Sequence, residues 1–338
     1  MKVESIVNGV NFKRFCDVVI DADTINDSRN YRDGDIVFCK TDLLRHLFDE
    51  IADFDGKLKL VSHQSDYPIG PMLWEHKPEC ITKWFAQNVN YQHPDLIPIP
   101  IGIENHFGPS KGSLIDIDFI EKTLPIVGND KIHDKIYCNF KNTHPNRENV
   151  RNILGGSNIG VIQTWDLPSR TYHEEMSQYL FVASPRGNGI DCHRTWEALL
   201  VGSIPIVERH FMYDNFFQKK QYPLSKNVSI NESALAARAA GQAVSACGAG
   251  VRPTNVAKRE RQPAMKQEAQ RATAGIFAAC GENKVKYDAY PTLPIIQIDD
   301  WREVLEPKFL ERKAEEILSQ QIDYSPLFMR YWEDYLYK

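Results

Sequence analysis

The residues best placed to do chemistry lie between Phe181 and Val207, in the run Phe-Val-Ala-Ser-Pro-Arg-Gly-Asn-Gly-Ile-Asp-Cys-His-Arg-Thr-Trp-Glu-Ala-Leu-Leu-Val-Gly-Ser-Ile-Pro-Ile-Val. Gly187 and Gly189 flank Asn188 in a turn where the backbone can approach a ligand closely. A helix starting just after such a turn presents unpaired N–H groups and a partial positive charge, which favour an anion. Arg186 and Arg194 add permanent cations whose fork geometry suits phosphate. Glu197, three residues beyond Arg194, shares its helix face, and an ionised carboxylate there can accept from a ribose diol. His193, at the helix start, is a candidate contact to phosphate or base. Lys141, after an earlier strand, is a candidate phosphate contact. The pattern fits a diphosphate with a ribose beside it. The plainer alternative is a glycine turn with surface arginines and an Arg194–Glu197 pair.

These residues need a strand before the turn and a helix after it. The sequence predicts a strand at 181–184, Asp191 as N-cap, a helix over 192–201, Gly202 at its C′ position and a strand at 204–208. Elsewhere, short apolar runs predict strands at 18–20, 35–39, 58–62, 97–100, 136–139 and 295–298. Amphipathic runs predict helices at 41–51, 82–86, 147–154, 172–179, 308–318 and 327–335. Strands interleaved with helices imply an α/β fold with parallel sheets. A seam rich in Gly, Pro, Ser, Asp and Lys at 108–135 separates a first α/β domain, 1–110, from a second, 135–305, with terminal helices over 306–338. The stretch 234–282 is foreign in composition: it is Ala-rich, lacks Asp, and holds seven Lys/Arg against three Glu. It is read as an insertion, or as an out-of-frame or non-native stretch, and kept apart from the site.

Phe181, Ser184-Pro185, Gly187, His193-Arg194, Glu197-Ala198-Leu199, Gly202 and Ile204-Pro205-Ile206 are similar, in order, to the signature of exostosin-like glycosyltransferases (glycosyltransferase family 47 type). Leu293-Pro294-Ile295 followed by Asp299-Asp300-Trp301 is similar to the family's next strand and loop. Ser62 to Pro68 and Pro98 to Glu104 resemble compact bacterial and algal-virus members. The resemblance implies a GT-B-like fold, two Rossmann-like domains facing across a cleft, with the donor mainly on the second. It implies inverting transfer of a monosaccharide from a UDP-sugar, with xylose the first choice, to a glycan or glycoprotein acceptor. No cofactor beyond the donor and no required metal are expected, because cations and a helix dipole would meet the leaving diphosphate. The formal Asp-x-Asp pairs Asp21/Asp23 and Asp116/Asp118 lie far in sequence from the donor motif.

Inverting displacement needs a base for the acceptor hydroxyl and positive charge for the leaving group. Two-domain logic puts the base on the N-terminal side. Asp66, after the 58–62 strand, is the first choice, with His63 its rival and Glu104 a third candidate. Asp300 and Trp301 are candidates to close over the donor. Arg147 reads as a surface helix residue. Phe328, Tyr331, Trp332 and Tyr335 form a stripe at helical spacing and read as core, as do Trp74, Trp84 and Trp165. A non-catalytic nucleotide- or glycan-binding protein on the same scaffold is the alternative. An oxidoreductase is disfavoured because no G-x-G-x-x-G follows an early strand, and no Gly-Lys-Ser/Thr follows the loop.

Composition agrees with a folded catalyst or binder. Of 338 residues, 42% are hydrophobic and 25% charged, which is ordinary for globular chains. A net charge of −5 argues against nucleic acid as a partner. No apolar run reaches ~18 residues, so no anchor is expected. The start Met-Lys-Val-Glu-Ser lacks a leader pattern. Seven scattered cysteines without a C-x-x-C fit reduced thiols. The expected location is therefore the cytoplasm, of a host cell if the protein is viral.

Overall fold

The computed structural model describes residues 6–104, 119, 130–163, 167–214, 293–320 and 322–337. Asp116, Asp118, Trp165 and the stretch 234–282 lie outside them. The first strands are β1 (Val18–Ile20), β2 (Ile36–Lys40), β3 (Leu58–His63), β4 (Ile81–Ala86) and β5 (Leu96–Pro98). They form one sheet in chain order, each parallel to its neighbour. A second sheet holds β6 (Ile132–Cys138), β7 (Gly160–Ile162), β8 (Tyr179–Ala183), β9 (Ile204–Glu208) and β10 (Ile296–Ile298), also all parallel. The helices relevant here are α1 (Gly9–Lys13), α2 (Leu44–Glu50), α3 (Pro71–Glu75), α4 (Pro145–Gly155), α5 (Ser169–Ser177), α6 (His193–Leu200), α7 (Phe211–Asp214), α8 (Phe309–Leu318) and α9 (Met329–Leu336).

The architecture is α/β with two parallel five-stranded sheets, as the alternation of apolar runs predicts. The second sheet runs β10-β9-β8-β6-β7. The chain enters at β6, adds β7 on one side, and returns to place β8 on the other. That reversal is the topological switch point of a doubly wound sheet, and ligands of such sheets bind outside the carboxyl ends of the strands there. The first sheet departs from the expected Rossmann-like order: its strands follow one another, with no reversal among the described strands.

Side chains sort by the period of two. In β6, Ile136 and Cys138 join a core with Phe181, Ala183, Ile204, Ile206 and α8, while Tyr137 faces Met176, Val182 and Ala198. In β2, Val37 and Cys39 face α2, whereas Ile36 and Phe38 join a cluster that also holds Trp196, Leu200, Val207 and Trp332. The two sheets thus share one buried cluster. The terminal helices are divided between them. Phe309, Leu310 and Ala314 of α8 pack with the second sheet, and Trp332 and Leu336 of α9 pack in the shared cluster.

Residues 82–86, expected as a helix, are the strand β4. Ile81, Trp84, Phe85 and Ala86 are buried between β3 and β5, and a short apolar run cannot distinguish helix from strand by spacing alone. The strand β7 has no counterpart among the elements expected from sequence, because Gly160-Val-Ile is too short to signal itself. Of the aromatic stripe expected as core, Trp332 is buried and donates to the Pro326 carbonyl at 2.9 Å, while Phe328, Tyr331 and Tyr335 are half-buried and pack against the same cluster. Trp84 is buried and donates to Ser62 Oγ at 2.8 Å. Among the described residues, no helix is long and apolar enough to cross a membrane. The five described cysteines are free and buried.

Candidate functional site

A cavity of about 510 Å³ opens at the carboxyl ends of β6 and β8, at the switch point. The strand–loop–helix unit forms as the sequence predicts. β8 ends at Ala183, the glycine loop follows, and α6 begins at His193. Gly202 takes φ +71°, the left-handed C′ conformation that ends the helix. The N-cap is Cys192, and no side chain caps the helix. The N-terminal turn of α6 therefore borders the cavity through Cys192, His193 and Arg194.

Asp191 is not the N-cap expected from sequence. It is buried and accepts from Cys192 N (2.8 Å), Ile101 N (2.8 Å) and Trp196 Nε1 (2.8 Å). Burial pushes its carboxyl up to about 6 even against these donors. Its role is to tie the glycine loop to the segment after β5. His193 does the same from the next turn, with Nδ1 2.7 Å from the Gly102 carbonyl. A carbonyl only accepts, so Nδ1 carries the proton there.

The arginines are arranged differently from the expectation. Arg194 lines the cavity, with Nε donating to the Asn139 carbonyl at 2.9 Å and its guanidinium 5.2 Å from the Phe140 ring centroid. Its Nη1 is buried without a hydrogen-bond partner. It forms no ion pair with Glu197, which instead accepts from Tyr172 Oη at 3.5 Å and also lines the cavity. Arg186 is a correction. It is not among the cavity-lining residues. Its backbone N–H donates to Glu208 at 2.9 Å. Burial first, and then the Arg186 charge, lower His144 and His210.

Arg147 takes the place expected of Arg186. Read from sequence as a surface residue, it is buried and lines the cavity. Its guanidinium donates to the Arg186 carbonyl (3.1 Å), the Lys141 carbonyl (3.1 Å), Thr143 Oγ1 (2.9 Å) and Cys192 Sγ (3.4 Å). Burial and then the neighbouring Arg194 cation lower its affinity for the proton, yet a guanidinium stays charged. Arg147 stands in the first turn of α4, after β6, and Arg194 in the first turn of α6, after β8. The two cations therefore flank the switch point. Among the described residues, neither has a carboxylate within ion-pair distance. Lys141 lies exposed at the cavity edge.

The glycines serve a different neighbour than expected. A Cβ on Gly187 would lie 2.8 Å from Arg147 Nη2, and one on Gly189 would lie 2.8 Å from Asn88 Nδ2. They admit protein side chains into the turn, and thereby hold Arg147 at the cavity. Asn188 is exposed at the rim and its Nδ2 is 3.4 Å from Asp66 Oδ2.

Of the base candidates, Asp66 and Glu104 both line the cavity and are exposed. His63 does not line it. It is fully buried at the end of β3, with Nδ1 accepting from Gln64 N (2.8 Å) and Nε2 donating to the Pro100 carbonyl (3.1 Å). Burial pushes it down to about 3, so it is neutral with both nitrogens occupied. Asp300 and Trp301 are structural as well. Asp300 caps the short turn 301–305 in a capping box with Glu303, and Trp301 is buried with Nε1 2.7 Å from Glu208. Asp21 accepts from Lys13 Nζ at 2.5 Å and from the backbone of Asp23. Among the described residues no group of three His, Cys, Asp or Glu side chains is placed to hold a metal ion.

Sequence reasoning missed Tyr172 and His173, which form a wall of the cavity from α5. Their rings meet edge-on at 5.0 Å, and His173 Nε2 is buried without a partner. Spacing alone marks them as the buried stripe of an amphipathic helix. Arg147 had a usable signal, a first-turn position after a strand and loop, the same place Arg194 has. Charges of both signs line the cavity: Lys141, Arg147, Arg194, Asp191 and Glu197 come from the segments of the second sheet, Asp66 and Glu104 from those of the first. The chain matches no protein-family model, and no curated protein matches it significantly.

Proposed function

We propose that this protein is an inverting glycosyltransferase of the exostosin-like type, with a GT-B-like arrangement, that moves a monosaccharide from a UDP-sugar to a glycan hydroxyl. The observation that carries the reading is the pair of buried or half-buried guanidinium groups, Arg147 and Arg194, facing one cavity with no carboxylate partner among the described residues. A protein rarely leaves two adjacent cations uncompensated unless an anion completes them. The uncapped first turn of α6 adds N–H groups and dipole to the same place, and the cavity sits where doubly wound sheets bind nucleotides.

In this reading Arg147, Arg194 and Lys141 hold the diphosphate, and Glu197 accepts from the ribose hydroxyls. Tyr172 and His173 wall the nucleoside. Asp66, with Glu104 as the rival, takes the proton of the acceptor hydroxyl as its oxygen bonds to the anomeric carbon. The bond from that carbon to the diphosphate oxygen breaks, and UDP leaves with its added charge held by the arginines. The acceptor enters from the side of the first sheet, where the two carboxylates lie.

Titration calorimetry with UDP tests the reading. The wild-type protein binds, and Arg147→Ala or Arg194→Ala each weakens binding by about 1.5–3 kcal/mol, the worth of a charged hydrogen bond. No heat with wild-type protein, or unchanged affinity in both variants, would overturn it. A panel of nucleotide sugars, followed by slow donor hydrolysis, then identifies the sugar.

A further inference from the structure

Asn88 lies just beyond β4 and is fully buried, with φ +56°. A left-handed backbone is costly for a residue with a side chain, and a glycine would adopt it freely. Strain of this kind calls for a compensating contact, and the Asn88 amide makes two. Nδ2 donates to the Ser65 carbonyl at 3.0 Å, one residue before Asp66. Oδ1 accepts from the Asp191 N–H at 2.9 Å, at the end of the glycine loop. A carbonyl only accepts and an N–H only donates, so the two contacts fix which way the amide points. Gly189 presses on the same amide so closely that a Cβ would clash. Gln87 supports the arrangement, its Nε2 donating to the same Ser65 carbonyl at 3.0 Å.

One side chain therefore touches both loops that border the cavity: the loop that carries Asp66 and the glycine loop against which Arg147 packs. We propose that Asn88 is a positioning residue that couples them, so that filling the anion site at Arg147 and Arg194, beside the glycine loop, orders the Asp66 loop and sets its carboxylate against the bound ligand. The ligand half of this inference rests on the nucleotide reading above; the coupling of the two loops does not. The stitching at the rim, where Asn188 approaches Asp66, lies over the same clasp.

Hydrogen–deuterium exchange of the full chain, with and without UDP, tests it. Asn88→Asp loses the donor to Ser65 and keeps the acceptor for Asp191. Asn88→Gly loses both while easing the backbone, so it keeps the fold. Without ligand, Asn88→Asp speeds exchange at 65–67 alone, and Asn88→Gly speeds it at both 65–67 and 187–191, each by about fivefold for one lost hydrogen bond. With saturating UDP, wild-type protein slows exchange in both segments, and Asn88→Asp slows it only at 187–191. Wild-type rates in both loops of Asn88→Gly would overturn the clasp. Equal UDP protection of 65–67 in wild type and Asn88→Asp would overturn the coupling. Absence of any UDP effect in wild type would sink the nucleotide reading, and the ligand-free comparison would still decide the clasp.

Discussion

Arg147 and Arg186 show how the meaning of a charge depends on where its side chain is sent. Arg147 satisfies its donors on two backbone carbonyls, a hydroxyl and a thiol, none of them anionic. It is thus solvated by the protein but not neutralised, the condition under which an entering anion gains most from it. Arg186, in the loop itself, is not among the residues that line the cavity. The contrast predicts that Arg186→Ala leaves UDP affinity within about twofold, whereas Arg194→Ala costs tenfold or more; calorimetry on the two variants separates them. The carboxylates carry a second prediction. Asp66→Asn retains UDP binding and lowers sugar transfer by about a hundredfold or more, the usual worth of a general base. Full transfer by Asp66→Asn, together with loss in Glu104→Gln, would move the role to Glu104.

At the level of elements, the unit β8–loop–α6 is built by local rules. Its strand is apolar, its turn holds two glycines, and Gly202 closes the helix in a left-handed residue. The matching unit β6–loop–α4 begins its helix with Pro145, which suits the first turn because no partner awaits its missing N–H. Each helix then offers an arginine in its first turn. The fit of Gly187 against Arg147 leads to a third prediction. In Gly187→Ala the new methyl stands 2.8 Å from Nη2, so the guanidinium must move off the cavity floor. UDP affinity falls by about tenfold, roughly one lost charged contact, and Tm falls as well, because the displaced guanidinium gives up hydrogen bonds within the fold. An unaltered affinity would show that Arg147 does not meet the ligand.

For the molecule as a whole, the two sheets are joined by a common apolar cluster and by the ties of Asp191 and His193 to residues 101 and 102. Buried histidines make this joining sensitive to acid. Burial lowers His63 from 6.5 to about 3 and His210 from 6.5 to about 4. In the unfolded chain both take protons as pH falls through 6.5, while the folded chain resists, so stability drops from about pH 6.5 toward 3. Asp191 acts in the opposite sense: its pKa, raised from 3.8 to about 6, makes the fold lose stability as pH rises between those values. With two histidines against one carboxyl, the expected net result is a Tm that falls on acidification below pH 6.5. His63→Gln, which can keep a donor to the Pro100 carbonyl, flattens that limb. Thermal melts between pH 4 and 7 check this, and identical limbs in both proteins would count against the buried-histidine account.

What could be read from the chain itself was whatever neighbours in sequence decide. The apolar runs, the glycine loop, the helix stop at Gly202 and the place of Arg194 follow from local spacing. The α/β class follows from their alternation. Tertiary structure alone decided the rest. The run 82–86 became a strand because β3 and β5 flank it. Arg147 became a buried cation because carbonyls of Lys141 and Arg186 reach it. His63 was withdrawn from chemistry by the carbonyl of Pro100, and Asp191 became a tie between sheets because Ile101 lies ninety residues away in sequence but 2.8 Å away in space. Periodicity reports which face of an element is apolar. It carries no record of which polar group from a distant segment will meet a given side chain, and that meeting determines whether a charge is spent within the fold or left for a ligand.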